Sequence, residues 1–348
     1  MNPYVFAMLM FSLGLGTTLT ITSHHWLLAW MGLEINTLAI IPLMAQHHHP
    51  RTVEAATKYF LIQAAAAAMI LFASTTNAWT TGEWNITNLS NPIASTTFMT
   101  ALALKIGLAP LHFWLPEVMQ GLDLMMGLIL STWQKLAPFA LMIQTAHNIN
   151  PMLLTLLGIT SALVGGWGGL NQTQLRKIFA YSSIAHMGWM IIVIQYAPKL
   201  TLIALSMYII MTSAMFLSAK MLFITKINML STAWTKNPTL AFTTMLVLLS
   251  LGGLPPLTGF LPKWLILEEL TKQDLTITAL TMAMLSMISL YFYMRLCYTL
   301  TLTNFPNTAN AMAPWRLKTT QPALPLALLT VMSLGLLPIT PTIIALAF

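Results

Sequence analysis

The sequence predicts an all-α, polytopic membrane protein with about eleven transmembrane helices: two inverted five-helix repeats, each with one broken helix, and a final C-terminal helix. Composition predicts the class. Of 348 residues, 57% are hydrophobic and 7% charged, against about 45–50% and about 25% in an ordinary soluble domain. Fifteen Lys and Arg with eight Asp and Glu cannot cover the surface of a water-soluble fold this long, so lipid must be the solvent for most of the chain. The second observation is the spacing of the apolar stretches, and the third is an interruption that occurs twice.

A membrane-crossing helix needs about 20 mostly apolar residues. Stretches 3–22 and 26–45 are divided by Ser23-His24-His25, and the second contains Glu34. Arg51 and Lys58 precede the stretch 59–78, and the polar connection 79–92 leads into 93–115, which holds Lys105. Stretch 122–146 contains Lys135, and 150–170, 175–196 with His186, and 200–224 follow in close succession. Stretch 240–270 holds Lys263; then come 275–301, the polar connection 302–322 and 323–347. Neither long connection can fold alone. Residues 1–348 are therefore read as one membrane domain, with repeats over 1–146 and 150–301 and a last helix over 323–347.

Gly107-Leu-Ala-Pro-Leu-His-Phe-Trp-Leu-Pro116 aligns without gaps on Gly253-Leu-Pro-Pro-Leu-Thr-Gly-Phe-Leu-Pro262, matching at six of ten positions. Proline removes a backbone donor and glycine lets the chain leave helical geometry, so both spans should break within the membrane. Irregular backbone at that depth is tolerated only around a protein interior or wet cavity. Paired interrupted spans are the mark of transporters built from two repeats. The copies are 146 residues apart, about five crossings, which turns the second upside down.

Apart from charges near span ends, four fall inside spans: Glu34, Lys105, Lys135 and Lys263. A centrally placed charge costs about 2.5–3.5 kcal/mol on insertion scales, so the set costs on the order of 10 kcal/mol that packing does not require. Ion or proton transport would explain it. Glu34 is either bonded to nearby backbone or Asn36, or paired with a cation. Each lysine either snorkels to an interface or stays buried and exchanges protons. His186 lies one turn from Ser182, as a relay or as a packing histidine. His112 and Glu117 sit at the end of a broken span, as an entrance or as ordinary interface polarity.

Other signals carry less. Scattered single basic residues do not suit nucleic acid, despite a net charge of +7. One cysteine, Cys297, supplies neither a disulfide framework nor a zinc or iron–sulfur set. His47-His48-His49 is read as a solvated loop rather than a metal site, and no histidine spacing supports paired haem ligands. The Asn85 and Asn88 sequons matter only in a secretory lumen. Tryptophans and tyrosines are read as interfacial belts. No cleavable leader precedes the first span, so the chain either inserts through that span or is made within the compartment whose membrane it enters.

Three ordered segments, Lys105 to Glu117, Arg176 to Gly188 and Leu251 to Lys263, resemble the antiporter-like membrane subunits of respiratory complex I, and the likeness runs along essentially the whole chain. It implies a proton-translocating subunit of NADH:ubiquinone reductase, with Glu34 and Lys105 as a coupled pair, Lys135 as a bridging lysine, and His186 and Lys263 continuing a central polar axis. Cofactors are expected to be none in this chain, with flavin, iron–sulfur clusters and ubiquinone held by other subunits. Implied partners are other complex I membrane subunits, especially chains 4 and 4L, accessory subunits, and lipid including cardiolipin. The family usually has fourteen helices, so eleven implies that the first three are absent. The 26 methionines resemble an animal, mitochondrially encoded product, placing the chain in the mitochondrial inner membrane. Competing readings are a stand-alone cation/proton antiporter and a structural membrane subunit.

Basic residues near span ends set orientation. Arg51, Lys58, Arg176, Lys177, Lys220, Lys226, Lys236, Arg295, Arg316 and Lys318 fall on the N-terminal side of the membrane, and only Lys199 and Lys272 on the other. The amino terminus is predicted inside, facing the matrix, and the carboxyl terminus outside, facing the intermembrane space. Protease digestion of sealed vesicles should therefore remove a tag from only one terminus; equal protection of both would contradict the odd crossing number.

Overall fold

Four helices open on the same dipeptide. Asn2-Pro3, Asn91-Pro92, Asn150-Pro151 and Asn237-Pro238 start α1 (Pro3–Thr22), α4 (Pro92–Ile106), α8 (Pro151–Leu170) and α13 (Pro238–Gly252). In each, the Asn side chain accepts a hydrogen bond from a first-turn backbone N–H, at 3.0–3.3 Å. Proline at the first helical position has no N–H to leave unsatisfied, so the pair is a pre-organised helix start. In this computed structural model, which describes residues 2–46, 48–302 and 323–347, the chain is helical nearly throughout, with no strand among the described residues.

Between these lie α2 (Trp26–Met44), α3 (Pro50–Thr81), α5 (Trp114–Gly121), α6 (Leu124–Ser131) and α7 (Trp133–Thr145). The chain continues through α9 (Leu175–Val193), α10 (Pro198–Met221), the short turns α11 (Ile227–Leu230) and α12 (Ala233–Lys236), α14 (Phe260–Lys272), α15 (Thr276–Thr301), α16 (Leu324–Gly335) and α17 (Thr340–Ala347). Every apolar stretch read from the sequence falls on one or two of these helices. Seven are long and apolar enough to cross a membrane outright, counting Leu124–Asn148 as one, and Pro92–Ile106, Pro238–Gly252 and Leu324–Gly335 are shorter apolar helices. His47, Arg316 and Lys318, with the connection 303–322, lie outside the described residues.

Two elements depart from the sequence reading. Residues 50–58, expected as a connection, form the first turns of α3. His49 Nδ1 accepts from Arg51 N–H at 3.2 Å, Pro50 opens the helix, and Glu54 pairs with Lys58 one turn on at 2.9 Å. At 32 residues α3 is about 48 Å long, so its charged end projects beyond a hydrocarbon core of about 30 Å. The stretch 122–146 is interrupted at Thr132, whose φ of −111° and ψ of −69° divide α6 from α7. Its hydroxyl donates to the Leu128 carbonyl at 2.7 Å, competing with the helix backbone at the break.

The chain forms two compact units, 1–161 and 162–348, with the boundary inside α8. In the first, α1 packs on α2, α2 and α4 pack on α3, and α7 touches α1, α2 and α4. The α1–α2 contact is set by absent side chains: a Cβ on Gly32 would lie 2.7 Å from Thr20 Cγ2 and 2.9 Å from the Gly16 carbonyl oxygen. Small residues let helices approach closely where lipid gives no hydrophobic drive. In the second unit α9, α10, α13, α14, α15 and α16 share one core, and Arg295 on α15 donates to the Leu170 carbonyl at the end of α8.

Gly32→Val should separate α1 from α2, costing about 1–3 kcal/mol as overpacking. The thermal midpoint of the detergent-solubilised protein should fall, whereas Gly14→Val, where a Cβ meets nothing within 4 Å, should leave it near wild type.

Candidate functional site

A helix that ends inside a membrane leaves its last carbonyls without donors. At the end of α4, Gly107 adopts the left-handed conformation (φ 84°) that glycine tolerates best. The N–H groups of Gly107 and Leu108 both reach the Ala103 carbonyl at 2.9 Å. The next two carbonyls are met from outside the helix: Trp114 Nε1 donates to Leu104 at 3.0 Å, and Gln63 Nε2 donates to Lys105 at 3.3 Å. A Trp from α5 and an amide from α3 thus fasten the break.

The Lys105 side chain faces a narrow cavity in the first unit, together with Lys135, Asn36, Tyr59, Gln63, Trp114 and Gln134. It has room for about one water molecule. The two lysines are 5% and 2% exposed, so neither snorkels to the surface. Lys105 Nζ and Glu34 Oε2 are buried without a hydrogen-bond partner among the described residues, yet Glu34 acts electrostatically on Lys105. Asn36 is engaged elsewhere, accepting from Gln134 Nε2 at 3.1 Å, while Tyr59 Oη donates to Gln134 Oε1 at 3.4 Å. Lys105 and Lys135 therefore share one cavity whose polar side chains come from five helices, with Glu34 of α2 acting on Lys105.

His112 is buried in the segment after the α4 break, with its ring 4.3 Å from that of Phe113. It is not part of the lysine cavity lining. Glu117 is exposed in the first turn of α5, where Lys58 donates to Oε2 at 2.9 Å. Both partners are about half exposed, so the pair contributes little stability but ties α5 to the projecting end of α3.

The second unit repeats the break with a different fastener. Gly253 is again left-handed (φ 81°), and Lys263 Nζ, on α14, donates to the Gly252 carbonyl at 2.8 Å. In the 146-residue register of the repeat, Lys263 corresponds to position 117 (263 − 146), where the first unit has Glu117. Thr258 within the break donates to the Ser333 carbonyl of α16. Lys263 is 9% exposed and lines a small cavity with His186, Trp189, Tyr208 and Met211. The His186 and Tyr208 rings are 5.6 Å apart. Ser182, one turn before His186, donates back to the Phe179 carbonyl at 2.8 Å.

The sequence reading missed Tyr59, Gln63, Trp114 and Gln134. Assigning tryptophans and tyrosines to interfacial belts is wrong for Tyr59, Trp114, Tyr208 and Tyr293, which are buried; Tyr59 and Tyr208 line the two cavities, and Trp114 serves the first break. A usable signal was present: Tyr59 and Gln63 stand four apart, on one helix face, before an alanine run. His49 proves to be a helix cap, and among the described residues no three His, Cys, Asp or Glu side chains group to hold a metal.

Buried cations beside broken helices, in an almost wholly apolar bundle, define a membrane protein that moves charge. The chain belongs to the NADH:quinone oxidoreductase/Mrp antiporter transmembrane family, whose model matches residues 23–289, and residues 290–344 match a model of the NADH dehydrogenase subunit 2 C-terminus. It is 76% identical to NADH-ubiquinone oxidoreductase chain 2 of Carassius auratus and 69% identical to that of Danio rerio, each over 99% of both chains. A chain of respiratory complex I from Thermus thermophilus, solved with bound aureothin, superposes with a TM-score of 0.81 at 28% identity, over 97% of this chain and 80% of that one. The Mrp complex from Dietzia shares the fold, with a TM-score of 0.79 at 15% identity, over 95% of this chain and 74% of that one.

Trp114→Phe keeps the ring but leaves the Leu104 carbonyl without its donor, and should cost about 1–3 kcal/mol. Thermal unfolding in detergent should show a clear loss relative to Trp167→Phe on exposed α8 surface; equal midpoints would mean that the indole N–H does not fasten the break.

Proposed function

We infer that the chain is a proton-translocating membrane subunit of respiratory complex I, and so part of an NADH:ubiquinone reductase that couples electron transfer to proton pumping. One observation carries the reading: the family's antiporter-like bundle here holds Lys105 and Lys135 in one buried polar cavity, with Glu34 acting on Lys105. Other complex I subunits are its partners, with chains 4 and 4L, accessory subunits and cardiolipin the specific candidates. In this reading they supply the flavin, iron–sulfur clusters and quinone site. The membrane is the mitochondrial inner membrane, with the amino terminus toward the matrix.

The mechanism follows from charge. A buried ammonium beside a carboxylate is stabilised by it, and loses that stabilisation when the carboxylate is neutralised or moves away. Altering the Glu34–Lys105 interaction then changes the proton affinity of Lys105 and drives its proton toward Lys135. Lys263 and His186 form the corresponding station in the second unit, and His112 is a lesser candidate near the first break. Moving one charge against 100 mV requires about 2.3 kcal/mol, the equivalent of less than two units of proton affinity at about 1.36 kcal/mol each. Modest electrostatic switching is therefore sufficient.

Lys105→Ala and Glu34→Gln, made separately in the intact complex, should each lower quinone-linked turnover and protons moved per electron pair. NADH oxidation by a water-soluble acceptor should be unchanged. Wild-type turnover and proton yield in both would remove this assignment of roles.

A further inference from the structure

Two side chains lining the cavity shared by Lys105 and Lys135 carry a hydroxyl, and one of them, Thr37, donates back to the Glu34 carbonyl of its own helix at 2.9 Å. Gln134, Gln63 and Asn36 are amides, which orient neighbours but do not exchange protons readily, and Trp114 is a donor only. Tyr59 differs. Its hydroxyl carries a donor and acceptor lone pairs, and the residue is 2% exposed.

Its position is fixed from three sides. The hydroxyl donates to Gln134 Oε1 at 3.4 Å, a long bond, and Gln134 is itself anchored on Asn36 at 3.1 Å. The ring meets Trp114 edge-on at 5.7 Å, and Trp114 fastens the α4 break through the Leu104 carbonyl. Glu34 acts electrostatically on Tyr59 as it does on Lys105. The hydroxyl is thus held by a neighbour of Lys135 in sequence, in a cavity shared by both lysines and within the field of Glu34.

We propose that Tyr59 is the hydroxyl relay between Lys105 and Lys135, held in its resting orientation by Gln134. The proposal rests on the proton-translocating reading above. The Lys105 ammonium gives a proton to a cavity water, which passes one of its protons to the Tyr59 oxygen. The phenol's own proton, released from Gln134, goes to the neutral Lys135 amine. Lys105 ends neutral and Lys135 as an ammonium, while water and phenol are regenerated. The phenol holds no net charge at either end of the step, which suits a group without a counter-ion of its own.

Tyr59→Phe in the assembled complex removes the hydroxyl and keeps the ring on Trp114. Quinone-linked turnover should fall about a hundredfold or more, the range for loss of a positioned proton-transfer group, with fewer protons moved per electron pair and unchanged NADH oxidation by a water-soluble acceptor. Lost packing alone would lower the amount of complex but not the proton yield of what remains. Gln134→Leu, which removes the acceptor holding the hydroxyl, should lower turnover two- to tenfold and decides the matter if Tyr59→Phe fails to assemble. Wild-type turnover and yield in Tyr59→Phe, or in Gln134→Leu where that variant decides, overturn the relay. If Lys105→Ala is then still impaired, the proton-translocating reading stands; if Lys105→Ala also behaves as wild type, both fall.

Discussion

A carbonyl released from a helix within the membrane has no water to turn to, and the rest of this molecule is arranged around that constraint. Each unpaired backbone group would cost several kcal/mol in hydrocarbon. The α4 break is therefore fastened by Trp114 and Gln63, the α13 break by Lys263. These donors must come from other segments, so each break fixes the position of elements around it. The close α1–α2 contact at Gly16 and Gly32 serves the same end at one remove, because it supports the helix that carries Glu34 and Asn36.

The breaks also explain why buried lysines are tolerable. A helix C-terminus presents the negative end of its dipole, which favours a cation in the last turn, and both Lys105 and Lys263 stand at such an end. Around Lys105 the neighbours are mainly amides, a phenol and an indole, with a single carboxylate acting on it. Such a setting carries a charge without locking it into a tight ion pair, as a group that exchanges protons requires.

The fold was legible because lipid imposes a simple rule: every long apolar stretch had to be helical, and Gly-x-x-Pro within two of them had to interrupt the helix. Glu34, Lys105, Lys135 and Lys263 stood out because charge within such stretches is costly. The supporting residues were not legible. Tyr59 and Trp114 look the same in a sequence whether they sit at a lipid interface or beneath a broken helix, and Gln63 and Gln134 carry no charge to mark them. The Thr132 interruption escaped because it depends on a hydroxyl bonding back onto its own helix. The helical start of α3 escaped because its cap is a histidine within a run of three.

The fastening of the second break has a consequence that the first lacks. Tryptophan and glutamine hold their carbonyls with neutral, permanent donors, whereas Lys263 holds Gly252 with an ammonium. Hydrogen bonds from a charged donor are roughly twice as strong as neutral ones, so a lysine that surrenders its proton loosens the joint it closes. In the proposed reading, where Lys263 exchanges a proton, occupancy of that one nitrogen would set the stiffness of the joint between α13 and α14.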